Sequence, residues 1–338
     1  MQRIFLIVIA TILFGILLLI IIVPLLIDLK PADGEITAPA AAEVDSQFVR
    51  IPFPGTAGIN FHIHSTSAPS GDANAFVLLH GFTFNVFTWD ALFPFFAAQG
   101  QVIAYDQIPY GLSDKLLPGD WTDANPYSKA AAIKQLFALM DQSGIEQAIL
   151  VGNSAGGTLA LEAALTHPER IKALILIDPW IYAQRPTLPQ FLVETPQLRR
   201  ISLFLARHLG GEKLPLLERS YADPERITPE RRTLAAIHSR LANWDVAWAA
   251  LLNHSLMDKV TVSAHLGEIK QPVLIIAGSE DRLVPVEDSA RAARAFSNAE
   301  FAVLPDCGHV PHEECPDLTK AVIAHWLRAL PQRAVHHN

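Results

Sequence analysis

Short apolar runs recur along the chain at 48–52, 59–64, 75–80, 101–106, 148–152, 173–178, 272–277 and 300–304. Between most of them the apolar positions fall three and four apart, over 88–98, 127–142, 155–167, 288–296 and 316–330. That spacing predicts amphipathic helices. The first two runs are adjacent and predict a hairpin. The others alternate with helices, the pattern of a mostly parallel eight-stranded α/β sheet with helices on both faces. One interval breaks the alternation. Between Ile181 and Ile269 no strand pattern stands, only amphipathic stretches such as 196–209 and 229–243. Such an insertion predicts a helical cap over 181–269, set on a core of 46–180 and 270–330. Residues 331–338 show no pattern and are expected to form a disordered tail.

The longest apolar run stands apart from the sheet. Residues 4–27 carry no charge, and all but Thr11, Gly15 and Pro24 are aliphatic or aromatic. As a helix the run would span roughly 36 Å, enough to cross a hydrocarbon core of about 30 Å with some tilt. It predicts one transmembrane helix and a lipid bilayer as partner. A cleaved signal is the alternative, but signal apolar regions are shorter and end near a small-residue site. Here the one such site nearby, Ala38-Pro39-Ala40, lies well past the run. Arg3 precedes the run and Asp28, Lys30, Asp33 and Glu35 follow it, which favours an inner N-terminus and an outer main domain. Residues 28–45, rich in Pro, Ala and acid, read as a linker.

Composition narrows the function. Half of the 338 residues are apolar and 18% are charged, which excludes a disordered chain. Outside the first run the apolar share is about 47%, ordinary for a soluble domain. Lys and Arg number 26 against 34 Asp and Glu, and an acidic surface argues against a nucleic-acid partner. Cys307 and Cys315 are too few for a disulfide scaffold or a cysteine-built zinc site; an oxidising compartment would permit them to pair, but small buried thiols are the commoner outcome and the expectation. Oligomeric state is not encoded in any pattern read here.

The chemistry concentrates at strand ends. Gly152-Asn153-Ser154-Ala155-Gly156 joins a predicted strand to a predicted helix. Glycines two before and two after a serine permit a sharp turn that lifts Ser154 Oγ above the sheet, with the next N–H unpaired at a helix start. His80-Gly81-Phe82 ends another strand, where the Phe82 amide can converge with that of Ala155 on a developing oxyanion. Glu280 and Asp281 follow the seventh strand, and either can supply a carboxylate. His309 and His312 follow the eighth, and either can supply a base.

These four elements, with Asp106-Gln107-Ile108-Pro109-Tyr110-Gly111-Leu112-Ser113-Asp114, resemble the α/β-hydrolase superfamily, and within it the members with a helical cap. The resemblance covers about 47–330. It implies Ser154 as nucleophile, Asp281 as acid and His309 as base, with Phe82 and Ala155 as oxyanion donors and no metal or cofactor. Tyr110 departs from the family loop, where glycine is usual. His312 is then left to order its loop with Glu313. His62 and His64 share one strand face, expected to be solvated rather than metal-binding.

A serine at the nucleophile position argues against haloalkane dehalogenase and epoxide hydrolase chemistry, which use aspartate there. The resemblance, joined to the apolar run over 4–27, therefore implies a membrane-anchored serine esterase acting on a small, lipophilic acyl substrate. Carbon–carbon bond hydrolysis or cofactor-free perhydrolysis on the same residues are its rivals, and a non-catalytic receptor or scaffold is a third class. Trp244, Trp248 and Phe204 in the cap are expected to close the pocket over Ser154.

Overall fold

A computed structural model describes residues 2–67, 74–182 and 187–335. Eight strands form one sheet: β1 (Ser46–Ile51), β2 (Ile59–Ser65), β3 (Asn74–Leu79), β4 (Gly100–Tyr105), β5 (Ala148–Asn153), β6 (Ile171–Ile177), β7 (Val273–Gly278) and β8 (Ala299–Leu304). Their order is β1-β2-β4-β3-β5-β6-β7-β8. The β1–β2 hairpin and the β2–β4 pair are antiparallel, and every later pair is parallel. Every residue of β5 is buried, as expected of a central strand covered on both faces.

The helices used below are α1 (Gln2–Ile22), α2 (Lys129–Gln142), α3 (Ala155–Thr166), α4 (Gln190–Val193), α5 (Pro196–Gly210), α6 (Pro215–Ser220), α7 (Pro229–Ala235), α8 (Trp244–Ser255), α9 (Val286–Ala295) and α10 (Pro316–Val335). Alternate strand residues feed two cores. Val77, Leu79, Leu150 and Leu176 meet Leu136 and Met140 of α2 and Leu159 and Ala163 of α3. Phe76, Leu78, Val151 and Ile175 meet Phe96 and, from α10, Ile323 and Trp326. Each such side chain contributes about 1.5–3 kcal/mol when fully buried. The parallel register places Leu79 beside Gly152, Asn153 beside Ile177, and Gly278 beside Leu304. The loops that follow β3, β5, β6, β7 and β8 therefore leave from one edge of the sheet.

Local chemistry adjusts several boundaries. The helix expected over 88–98 is split into a 3-10 turn, Val86–Trp89, and a short helix, Phe93–Ala97. Pro94 cannot donate in a helix interior and instead sits in the first turn of the second piece. Helix α2 starts at Lys129 because the Ser128 side chain caps it, accepting the Ala131 N–H at 3.1 Å. Helix α10 continues to Val335, beyond the point where a tail was expected to begin, and 336–338 lie outside the described residues.

Helix α1 is long and apolar enough to cross a membrane, and its described side chains are largely exposed to the surroundings. The segment after it is not the plain tether expected over 28–45. Arg207 of α5 donates to the carbonyls of Asp28 and Lys30 at 2.9 and 2.7 Å. Asp245 accepts the Ala32 N–H at 3.0 Å, and the Glu35 N–H donates to Arg240 O at 2.9 Å. Ile36, Ala38 and Ala41 then pack on the core. These backbone contacts come from residues two hundred positions away, so no local composition signals them.

Candidate active site

Ser154 stands between β5 and α3 with φ +53° and ψ −117°, a backbone conformation seldom adopted by a residue with a side chain. The turn requires close approach around it. A Cβ at Gly156 would lie 2.1 Å from Leu79 O, and one at Gly81 would lie 3.1 Å from Ser154 Cβ. The loop after β3 thus presses directly on the Ser154 turn. Among the described residues, neither the Phe82 nor the Ala155 amide has a hydrogen-bond acceptor. Ser154, Phe82, Ala155 and His309 all border one cavity of about 500 Å³.

The loop carrying Phe82 is fixed by its neighbours. His80 Nε2 accepts the Gln107 N–H at 3.0 Å, which leaves Nδ1–H to donate to Gly81 O at 2.8 Å. Gln107 Nε2 returns a bond to His80 O at 2.8 Å. Burial lowers the His80 pKa, in keeping with this neutral tautomer.

His309 Nδ1 lies 2.7 Å from Asp281 Oδ2, and the side chains of both are almost wholly buried. Asp281 Oδ1 accepts the N–H groups of Leu283 and Val284 at 2.7 and 2.9 Å, which fixes the carboxylate. Glu280 is exposed. His312 is buried against Thr88 Oγ1 at 3.0 Å, and Glu313 bonds Thr88 and Arg231, so this pair orders the loop as expected. The Asn153 side chain ties the Ser154 and His309 loops together, donating to His309 O at 3.0 Å and Ile177 O at 3.1 Å.

Two expectations fail here. Cys307 and Cys315 are not free thiols but a disulfide, because the turn after β8 and the short helix Pro311–Glu314 bring their Cα atoms to 6.2 Å. His62 and His64 do not face solvent. His62 is buried with Nδ1 2.7 Å from Asp106 Oδ2 and Nε2 2.7 Å from Ser46 Oγ. Burial works to raise the Asp106 pKa, but His62 and the Leu112 N–H hold it below the usual carboxylate range.

Sequence reasoning also missed Asp178, which closes β6 with φ +44°. It is fully buried, accepts the Gly278 N–H at 3.0 Å and hydrogen-bonds Asp281. Burial, and then the Asp281 charge, push its carboxyl well above the usual range. An aspartate ending an otherwise apolar run is the signal that could have found it. Asp178, Asp281 and His309 offer three ligand atoms within 4.8 Å of one another. Asp281 faces His309 Nδ1 and two backbone amides, and Asp178 faces the Gly278 N–H, so the two carboxylates and the imidazole read as a hydrogen-bonded chain that leaves Nε2 open.

A family profile described as the α/β hydrolase fold matches residues 74–316. The chain belongs to the α/β-hydrolase fold family. Its relatives include 2-hydroxy-6-oxo-6-phenylhexa-2,4-dienoate hydrolase of Burkholderia cepacia, 31% identical over 78% of this chain and 90% of that protein. A 2-hydroxy-6-oxononadienedioate/2-hydroxy-6-oxononatrienedioate hydrolase of Comamonas testosteroni is 30% identical over the same shares, 78% and 90%. Among solved structures, a thermophilic esterase from Thermogutta terrifontis superposes with TM-score 0.65 at 22% identity, covering 84% of this chain and 99% of the esterase.

In this α/β-hydrolase the cap is fastened to the histidine loop. The Arg231 guanidinium grips Glu313 at 2.6 and 2.8 Å, and Tyr221 OH donates to Glu313 at 2.6 Å. Glu314 accepts the N–H groups of Ala222, Asp223 and Gly308, and the His309 N–H donates to Ser220 O at 2.7 Å. Leu216, Leu251 and Leu252, from the helices between β6 and β7, line the cavity. The aromatics expected there do not take part. Trp244 and Trp248 pack with Leu203 and Ala206 and with Tyr110 of the loop after β4, joining the cap to the core, and Phe204 is exposed on α5.

Proposed function

We propose that this hydrolase is a membrane-anchored serine esterase cleaving uncharged carboxylic esters through an acyl-enzyme. Ser154 attacks the carbonyl while His309 takes its proton. Asp281 holds Nδ1–H and stabilises the imidazolium that forms. The Phe82 and Ala155 amides receive the oxyanion, and one such donor can supply about 2.7–4 kcal/mol in the transition state. Water, activated by the same imidazole, then releases the acyl group.

The observation that carries the ester reading is the charge balance of the cavity. Its walls are mainly apolar, and its charged lining residues, Lys129, Lys259, Glu162 and Asp258, balance in number. Lys129 Nζ lies 2.8 Å from Glu162, and Lys259 lies beside Asp258 in the chain. Among the described residues no arginine lines the cavity. An anionic substrate would need a cation that is not already neutralised. Helix α1 supplies the anchor, and the Cys307–Cys315 bond suits an oxidising, outer compartment.

A second reading, carbon–carbon bond hydrolysis, is favoured by the two relatives named as dienoate and dienedioate hydrolases. Full-length protein in detergent should be labelled by a fluorophosphonate and should hydrolyse p-nitrophenyl esters of neutral acids. A kcat/KM for a vinylogous 1,5-diketone acid above that for every neutral ester tested would replace the first reading by the second. Absence of both labelling and turnover would favour a binding protein.

A further inference from the structure

Helix α5 presents a face that the fold leaves uncovered. Its inner side, Leu203, Ala206 and Gly210, packs into the cap toward α8. Its outer side carries Phe204 and Leu205, 55% and 41% exposed, and the adjacent α4 adds Phe191 and Leu192, 71% and 41% exposed. The helix also bears Arg199, Arg200, Arg207 and His208, and no acid. Glu194, between the two helices, is engaged by the Gln190 amide at 2.6 Å. Bulky apolar residues beside cations, on a chain whose net charge is −8, form the pattern of a helix lying in a lipid interface.

The path of the chain says what covers this face. The 3-10 turn Val23–Leu26, which continues α1, packs directly against α5 and has Pro24 buried. From there Arg207 of α5 holds the carbonyls of Asp28 and Lys30 while its Nε bonds Asp245 at 2.8 Å. The Asn243 N–H donates to Ala32 O at 3.0 Å, a further tie between this segment and the cap. A helix fixed to the last turn of a membrane span sits at the depth of the headgroups.

We infer that α4 and α5 are a membrane-docking face, which seats the cap on the bilayer with Phe191, Leu192, Phe204 and Leu205 at the acyl boundary. Arg199 and Arg200 meet anionic headgroups. The inference rests on the reading of α1 as a membrane anchor. It gives the exposed apolar residues one partner, a lipid surface, and places a cap whose helices line the cavity against the phase that holds lipophilic esters.

The two native cysteines pair, so an introduced cysteine is the one reactive thiol. Full-length Phe204→Cys and Lys172→Cys proteins, each spin-labelled, are reconstituted in vesicles of phosphatidylcholine and phosphatidylglycerol. Lys172 is exposed at the opposite edge of the sheet. The label at 204 should collide more with oxygen than with a water-soluble nickel chelate, and the label at 172 should show the reverse. Leu192→Cys gives the same comparison if the 204 variant folds poorly. Protein that floats with the vesicles but has a label at 204 as wet as that at 172 overturns docking and leaves the anchor standing. Protein that does not float overturns both.

Discussion

Asp178 and Asp281 set two carboxyl groups side by side beneath His309, one held by the Gly278 N–H and the other by the imidazole. Two buried carboxylates in contact cannot both keep a full charge, so one of them retains a proton. Burial and the Asp281 charge assign that proton to Asp178, which can then donate to Asp281.

The pair has a pH signature. Asp178 has its folded pKa raised, so its contribution to stability is full below the unfolded carboxyl pKa and is lost as pH rises through the folded value. Asp178→Asn keeps a donor and cannot ionise. The variant should therefore lose less Tm than wild type between acidic and alkaline pH, with kcat little changed. Asp178→Ala leaves the Gly278 N–H without its partner and should cost about 1–3 kcal/mol. Thermal melts across pH and ester kinetics check both.

The Ser154 backbone stores strain. At φ +53° a side chain costs on the order of 1–3 kcal/mol, and glycine relieves it. Ser154→Gly should raise Tm while abolishing ester hydrolysis. Ser154→Ala should abolish it with Tm unchanged, as read by differential scanning calorimetry.

Arg231 and Glu313 are a buried pair, their side chains 11% and 6% exposed. Removing one charge strands the other, at a cost of about 3–5 kcal/mol. Arg231→Met and Glu313→Gln should each destabilise more than the double variant does, because the double variant leaves no unpaired charge. Urea denaturation of the three proteins measures the coupling.

Glu162 neutralises Lys129 in the lining of the cavity. Glu162→Gln should release that cation and raise kcat/KM for a succinate half-ester roughly tenfold relative to a neutral butyrate ester, about 1.4 kcal/mol of preference. An unchanged ratio would place the acyl group elsewhere in the cavity.

The alternation of short apolar runs with helical periods was enough to read the mostly parallel sheet, since that pattern is set by periods of a few residues. Residue type alone left Glu280 and Asp281 equal candidates beside His309 and only the family resemblance favoured Asp281; the loop after β7 turns Asp281 toward His309 and leaves Glu280 in solvent. Asp178, the Cys307–Cys315 bond, the burial of His62 and the docking of 28–42 on the cap and core were decided by tertiary structure alone. In each case the partner lies on another element or around a turn, and its distance follows from sheet register and loop closure, which one sequence does not display. The exposed Phe204 makes the same point from the other side: its helical period shows that it belongs to a helix, but only packing decides whether its face meets the cavity, the cap core or the surroundings.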